Sequence, residues 1–423
     1  MKSVILGDVG RVLMCKRILK HQTTTDGAIP FFKISTFGGT ADSFISENVF
    51  LNYASKYPYP KKGDILISAA GTVGKTVIFD GSPAYFQDSN IVWIDNDETQ
   101  ITNKYLYYYY QTNPWRKSKG STITRIYNDD LRGIVVNFPD IKSQNRVTEV
   151  LSKLDEKIQN NIKINNELEK IARTVFDYWF IQFEFPDKSR KPYKSSGGEM
   201  AWSKDLKREI PEGWKVLGLA SLIDESKNGD WGSESISEES TKCFCIRGAD
   251  INGLNGIENF NPPVRYIDKS HTNRQLKADD LIIEISGGSP TQSTGRMAHI
   301  SQDVLARLDN KVVCSNFCKA ISLNKTKLSY IVSRYWARLY VSGTFFNHEG
   351  KTSGIKNLLF DQLAKDVKIA LPTDENLINE YYELEKSIDK QKQNILVQNK
   401  ELIKLRDWLL PMLMNGQVKV SDK

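Results

Sequence analysis

Ile134-Val135-Val136-Asn137-Phe138-Pro139 leads into a helical pattern from about Gln144 to Phe180, and Val367-Lys368-Ile369-Ala370-Leu371-Pro372 leads into another from about Glu375 to Asn415. Each is a short apolar strand, a proline and a long helix. Pro139 and Pro372 are 233 residues apart, while Asp155 and Asp389, like Leu168 and Leu402, are 234 apart. The chain is therefore written twice in one register, with a single inserted residue.

The helices carry heptads. Tyr381, Ile388, Ile395, Leu402 and Leu409 recur every seven residues, with a companion row of Leu384, Gln391, Gln398, Leu405 and Met412. The first copy repeats Val147, Leu154, Asn161, Leu168 and Val175. Sevens sustained over so many turns predict a coiled coil. Asn161, Gln391 and Gln398 put polar groups in the seams, which costs stability but fixes register and partner choice. At a rise of 1.5 Å per residue each helix is on the order of 55–60 Å long. Antiparallel pairing of the two helices within the chain is the expected arrangement. Separate bundles, or pairing with another protein, are the alternatives.

Around the helices the texture changes. Runs such as Asp64-Ile65-Leu66-Ile67-Ser68, Thr76-Val77-Ile78-Phe79 and Leu281-Ile282-Ile283-Glu284-Ile285 read as strands broken by Gly, Pro, Asn and Asp. Pro186, Pro192, Ser195-Ser196-Gly197-Gly198 and Pro211 mark a linker. The predicted division is a globular domain over 1–139, a helix over 140–182, a linker over 183–213, a second globular domain over 214–372, a helix over 373–416 and a tail over 417–423. The fold class is α+β: two strand-rich domains separated by two long antiparallel coiled-coil helices, in a pseudo-two-fold internal repeat.

The chain has 423 residues, 40% of them hydrophobic and 26% charged, which suits globular cores. No run of about 18 apolar residues occurs and the N-terminus lacks the form of a signal peptide, so a cytoplasmic protein without a membrane span is expected. Lys and Arg exceed Asp and Glu by 58 to 51, a balance that favours a polyanionic partner. Five cysteines without a secretory signal read as reduced thiols. Cys243-x-Cys245 and Cys314-x-x-x-Cys318 lack the spacing of a zinc ribbon or finger, and buried small residues explain them better.

Catalytic motifs are weak. Ala69-Ala70-Gly71-Thr72-Val73-Gly74-Lys75-Thr76 resembles a phosphate loop, but Ala69 stands where that loop needs glycine. Val77-Ile78-Phe79 then reads as a strand, where a phosphate loop must open a helix. A glycine turn between two strands fits better, with Thr72 and Lys75 projecting. Asn261-Pro262-Pro263 has the form of an adenine methyltransferase motif, but Val264 follows where an aromatic residue is required. His21, His271, His299 and His348 are scattered, and Asp155-Glu156-Lys157 reads as a solvated helix face.

These features together resemble the specificity subunit of Type I restriction–modification systems, over nearly the whole chain. The stretch from Gln144-Asn145-Arg146-Val147 through Leu151-Ser152-Lys153-Leu154-Asp155-Glu156-Lys157-Ile158 to Phe176-Asp177-Tyr178-Trp179-Phe180 is similar to the family's central helix. Phe185-Pro186-Asp187 and Ile210-Pro211-Glu212-Gly213-Trp214 resemble its passage into the second recognition domain. Leu405-Arg406-Asp407-Trp408-Leu409-Leu410-Pro411 resembles its closing helix. The resemblance implies two target recognition domains, each reading half of a bipartite, asymmetric site on double-stranded DNA. It implies helices that set the spacer and dock two methyltransferase subunits, with restriction endonuclease–translocase subunits joining through the complex. The chain itself would be non-catalytic, and S-adenosylmethionine, ATP and Mg2+ would belong to the partner subunits.

Direct readout favours Arg or Lys for guanine and Asn or Gln for adenine, and phosphates take Lys, Arg, Ser and Thr. The expected DNA contacts are Lys33, Gly71, Thr72, Lys75, Lys119 and Arg125 in the first half. In the second half they are Arg247, Ser289, Gln292, Arg296 and Lys351. The second glycine turn lacks the Gly-Thr-x-Gly-Lys form of the first and is longer, so the halves should read different sequences. Tyr107 to Tyr110 cannot all share one helix face, and most should be core. A protein-binding scaffold, and an enzyme with unfamiliar motifs, are the competing classes.

Overall fold

The computed structural model describes residues 1–115, 125–256, 260–289, 291–309, 311–352 and 355–420. Its contacts divide it into two compact units, Met1–Ile158 with Glu401–Lys423, and Gln159–Lys400.

The first unit is built on a four-stranded antiparallel sheet in the order Gly10–Met14, Ile91–Asn96, Ile65–Ser68, Thr76–Ile78. Successive side chains of a strand point to opposite faces, and each face here has its own core. Ile65, Ile67, Val92 and Ile94 pack with Tyr105, Leu106 and Tyr108 of the helix Asn103–Gln111. Leu66, Ile91 and Trp93 pack with Phe31, Phe79 and Tyr85 toward a second small sheet. Burial on both faces explains why these strands read as continuous apolar runs. Lys2–Ile5 pairs antiparallel with Val135–Phe138 and closes the domain just ahead of the first long helix.

The second unit repeats the plan. Its sheet runs Ile223–Asn228, Cys318–Leu323, Leu281–Glu284, Met297–His299, the same order with corresponding strands. Leu281 and Ile283 face one core, and Ile282, Cys318 and Ala320 face the other. Lys215–Gly218 pairs with Lys368–Leu371 as Lys2–Ile5 does with Val135–Phe138. The duplication is thus one of topology as well as of sequence.

The long helices are Ile141–Phe176, which passes into a π turn over Asp177–Ile181, and Glu375–Met414. Asp140 caps the first by accepting from the Ser143 amide at 2.9 Å. Their pairing is antiparallel in both units. In the first, Arg406 meets Asp155. In the second, the Asn161 amide donates to Gln398 Oε1 at 2.7 Å and Asn399 Oδ1 at 2.8 Å, and Lys392 meets Glu169.

Tyr381 is buried and Ile388, Ile395, Leu402 and Leu409 are half-buried, as are Leu154, Leu168 and Val175 beside buried Val147 and Asn161. The companion row falls elsewhere than expected. Gln391, Gln398 and Leu405 are exposed while Leu384 and Met412 are half-buried, and the row that faces inward is Ile378, Glu385, Lys392, Asn399 and Leu413, with Arg406 half-buried. On the first helix the matching inward row is Gln144, Leu151, Ile158, Asn165, Ala172 and Trp179. Much of the second helix's seam is charged and neutralised by partners from other elements.

The stretch expected to be a linker is structured. Met200–Ser203 and Arg208–Pro211 form a hairpin, and Phe183, Phe185 and Ile210 are buried in the second unit's core. Phe183, Phe185 and Trp214 interlock as an aromatic cluster that chain composition alone does not reveal.

Candidate functional site

The Gly71–Lys75 turn joins strands Ile65–Ser68 and Thr76–Ile78 of one hairpin, not a strand to a helix. Gly71 and Gly74 take left-handed backbone, at φ +65° and +84°. A Cβ on Gly74 would stand 2.3 Å from the Trp115 indole, so the turn is pressed flat against that ring. Thr72 is exposed at its tip. Lys75 is also exposed, and its ammonium donates to the Phe37 carbonyl at 2.6 Å. Lys33 pairs with Asp42 at 2.8 Å.

Arg125 lies beside the turn through a bridge to Ala70, and its guanidinium donates to the Ser89 carbonyl at 3.0 Å. Gly71, Thr72, Lys75 and Arg125 are therefore gathered at one end of the sheet. Ile34, next to Lys33, reaches within 3.1 Å of where a Gly71 Cβ would stand. Lys119 lies outside the described residues.

In the second unit the corresponding hairpin, Leu281–Glu284 with Met297–His299, carries the longer turn. Arg247, Ser289 and Arg296 converge there on one cavity of about 1390 Å³. Glu284, 2% exposed, lies at its base. A Cβ on Gly248 or Gly287 would stand 2.6 or 2.7 Å from Glu284 Oε1, so glycine lets the backbone close around this carboxylate. Arg296 holds it with two hydrogen bonds, at 2.9 and 2.6 Å. Arg247 forms a similar fork on Asp250, at 2.8 and 2.9 Å. Gln292 is exposed and bridges back to Ser289. Lys351 lies on strand Glu349–Thr352, opposite Lys356.

The domain helices are clamped to the long helices by polar groups. In the first unit the Tyr108 hydroxyl donates to Asp155 at 2.7 Å, and Arg406 donates to the same carboxylate at 3.0 Å. Asp155 is thus a half-buried anchor, not the solvated face its neighbours suggest. Tyr105, Tyr108 and Tyr110 are core, and Tyr107 and Tyr109 are half-buried.

In the second unit Arg334 of the helix Ser329–Val341 donates to Glu169 at 2.6 Å and to Glu385 at 2.9 and 3.0 Å. One side chain joins both long helices. Burial works to raise the Glu169 carboxyl, but Arg334 and Lys392 overcome it and hold it at about 2.

All five cysteines are buried free thiols, and burial pushes Cys15, Cys245 and Cys318 up to about 12. Among the described residues no group of three or more His, Cys, Asp or Glu is placed to hold a metal. Three histidines each face a carboxylate: His271 with Asp230, His299 with Asp279 and His348 with Asp366. Val264 opens a strand paired to Phe244, which places the Asn261-Pro262-Pro263 run at a strand entry. Among the described residues no helix is long and apolar enough to cross a membrane.

Residues 1–170 match the family model described as the Type I restriction modification DNA specificity domain. Over 161 residues the chain is 56% identical to the putative type I restriction enzyme specificity subunit S.HindORF215P of Haemophilus influenzae, a match covering 38% of this chain and 42% of that one. The type I restriction enzyme MjaIX specificity subunit of Methanocaldococcus jannaschii is 24% identical over 454 residues, spanning 100% of this chain and 97% of its own. The S subunit of a Type-I restriction-modification system from M. genitalium shares the fold, with a TM-score of 0.56, 15% identity and coverage of 100% of this chain and 96% of that one. Residues 1–170 thus match a Type I restriction modification DNA specificity domain, and over its whole length the chain, with its duplicated sheets and paired helices, is similar to Type I specificity subunits.

Proposed function

We propose that this chain reads a bipartite, asymmetric site on double-stranded DNA, one half with residues 1–139 and the other with residues 214–372. The helices over 140–182 and 373–416 act as a spacer and dock two methyltransferase subunits, and the restriction endonuclease–translocase subunits join through that complex. The chain performs no chemistry. S-adenosylmethionine, ATP and Mg2+ are bound by its partners in the cytoplasm.

The observation that carries this reading is the duplicated sheet with a different turn in each copy. Both copies carry a hairpin at the same place in the same strand order, but one turn is a short Gly-Thr-x-Gly-Lys and the other a long cavity-forming loop. One scaffold with two different reading edges suits two different half-sites, and a helical spacer fixes their separation. Lys33, Thr72, Lys75, Lys119 and Arg125 supply phosphate and base contacts in the first half, around Gly71. In the second half Arg247, Ser289, Gln292, Arg296 and Lys351 form the surface that meets the DNA. Exposed Leu405 and Trp408 on the closing helix give the docking face an apolar surface.

Exchanging residues 214–372 for the matching domain of a relative with a different target tests the reading. In the assembled methyltransferase one methylated half-site should change while the other half and the gap stay. A change in both halves, or in neither, would refute it.

A further inference from the structure

The turn Ser315–Cys318 of the second unit displays an aromatic ring that the fold does not use. The Cys318 amide closes the turn on the Ser315 carbonyl at 2.8 Å. The Phe317 carbonyl accepts from the Ile285 and Ser286 amides at 2.9 and 3.2 Å. A Cβ on Gly229 would stand 1.9 Å from the Ser315 carbonyl oxygen, so a second segment presses on the turn from behind. The backbone is pinned on every side, yet the Phe317 ring is 56% exposed and meets no other ring among the described residues. Burying such a side chain is stabilising, and the fold forgoes it.

Phe317 faces the cavity that Arg247 and Arg296 line, and so do two more exposed rings. Trp231 is 37% exposed and backed by the Arg265 guanidinium at 4.3 Å, and Phe346 is 43% exposed. The cations on the wall are matched by carboxylates: Arg247 by Asp250, Arg296 by Glu284 and Lys356 by Glu349. Such a wall suits an uncharged, flat, aromatic guest better than a phosphate. Asn316, exposed on the same turn, adds an amide that can pair with the edge of a base. The surface is concave, whereas an element that reads a stacked duplex projects into the groove. The volume, about 1390 Å³, holds a nucleoside with room to spare.

We propose that this cavity receives one nucleobase of the second unit's half-site, lifted out of the duplex stack and held against Phe317 and Trp231 with Asn316 on its edge. Stacking on aromatic side chains is favourable for any base, which helps offset the unstacking. The inference rests on the DNA-reading role and adds a deformation of the target to it.

The test uses the chain assembled with its methyltransferase subunits, on a duplex bearing the site found by methylation mapping. 2-Aminopurine is placed at each position of the second half-site in turn. The expected result is a several-fold rise in fluorescence at one position other than the methylated adenine. Phe317→Ala should remove that rise and weaken binding about tenfold, and Asn316→Ala should relax the preference at that position. Both residues are exposed, so near-wild-type unfolding curves are expected, and Phe317→Tyr should keep the rise. A rise confined to the methylated adenine, no rise at all, or a rise unchanged in Phe317→Ala would overturn the proposal while leaving the DNA-reading role intact. Absence of any site-specific binding by the wild-type complex would overturn both.

Discussion

Arg334→Met removes three charge-assisted hydrogen bonds from the second unit and leaves Glu385, 1% exposed, with the Tyr381 hydroxyl. Two arguments size the loss. Removing one partner from a buried ion pair costs about 3–5 kcal/mol, because the remaining charge stays desolvated. Holding the Glu169 carboxyl at about 2 against an ordinary 4.5 corresponds to about 3 kcal/mol of stability at neutral pH, which Arg334 shares with Lys392, so it bounds the Arg334 part from above. For a unit of this size that is a fall in Tm on the order of 10 °C. The chain has two units, so urea unfolding should be read together with hydrogen exchange, and the loss assigned to segments within Gln159–Lys400. Arg334→Met with Glu385→Gln should recover at least half the loss, since the orphaned carboxylate is gone. A loss under about 1 kcal/mol, or a double variant no better than the single, would refute the claim that one guanidinium ties this domain to both helices.

Other consequences are as direct. Glu169's folded pKa lies below its unfolded value, so its stabilisation is full above pH 4.5 and disappears as pH falls toward 2; Glu169→Gln should flatten stability against pH across that window in acid-unfolding curves. Gly74→Ala combines a strained φ of +84° with a Cβ 2.3 Å from Trp115, and should destabilise the first unit by about 2 kcal/mol or more in thermal melts, with the second unit unchanged. Tyr108→Phe and Arg406→Leu share Asp155 and should show a coupling energy of about 1 kcal/mol in a double-mutant cycle; strict additivity would mean the clamp is two separate contacts. The five buried thiols should react with a thiol reagent only as fast as the chain opens, and rapid labelling of the native protein would contradict their burial.

The repeat, the strands and the long helices were legible because they rest on local pattern: apolar runs, prolines and sevens. The second seam row was not. Leu384, Leu405 and Met412 look more like core than Glu385, Lys392 and Arg406, yet the charged set points inward. Arg334, Glu169 and Asp155, remote in sequence, neutralise Glu385, Lys392 and Arg406 in turn, and only tertiary structure brings them there. The site was half legible for the same reason. Glycines and cations marked the two hairpin turns, but composition does not say that Arg296 lies along the buried Glu284, or that Lys75 reaches the Phe37 carbonyl. The proposed role of Phe317 was not legible, because an apolar residue outside the glycine-rich turns carries no mark of DNA contact. The available signal was an aromatic residue in the tight Ser315-Asn316-Phe317 turn between two strands.

Mapping adenine methylation across a genome with the neighbouring methyltransferase subunit expressed with and without this chain tests the central claim most directly. The account predicts one bipartite motif, two dissimilar half-sites at a fixed gap, present only when the chain is present. An active methyltransferase that acquires no new motif from this chain would contradict it.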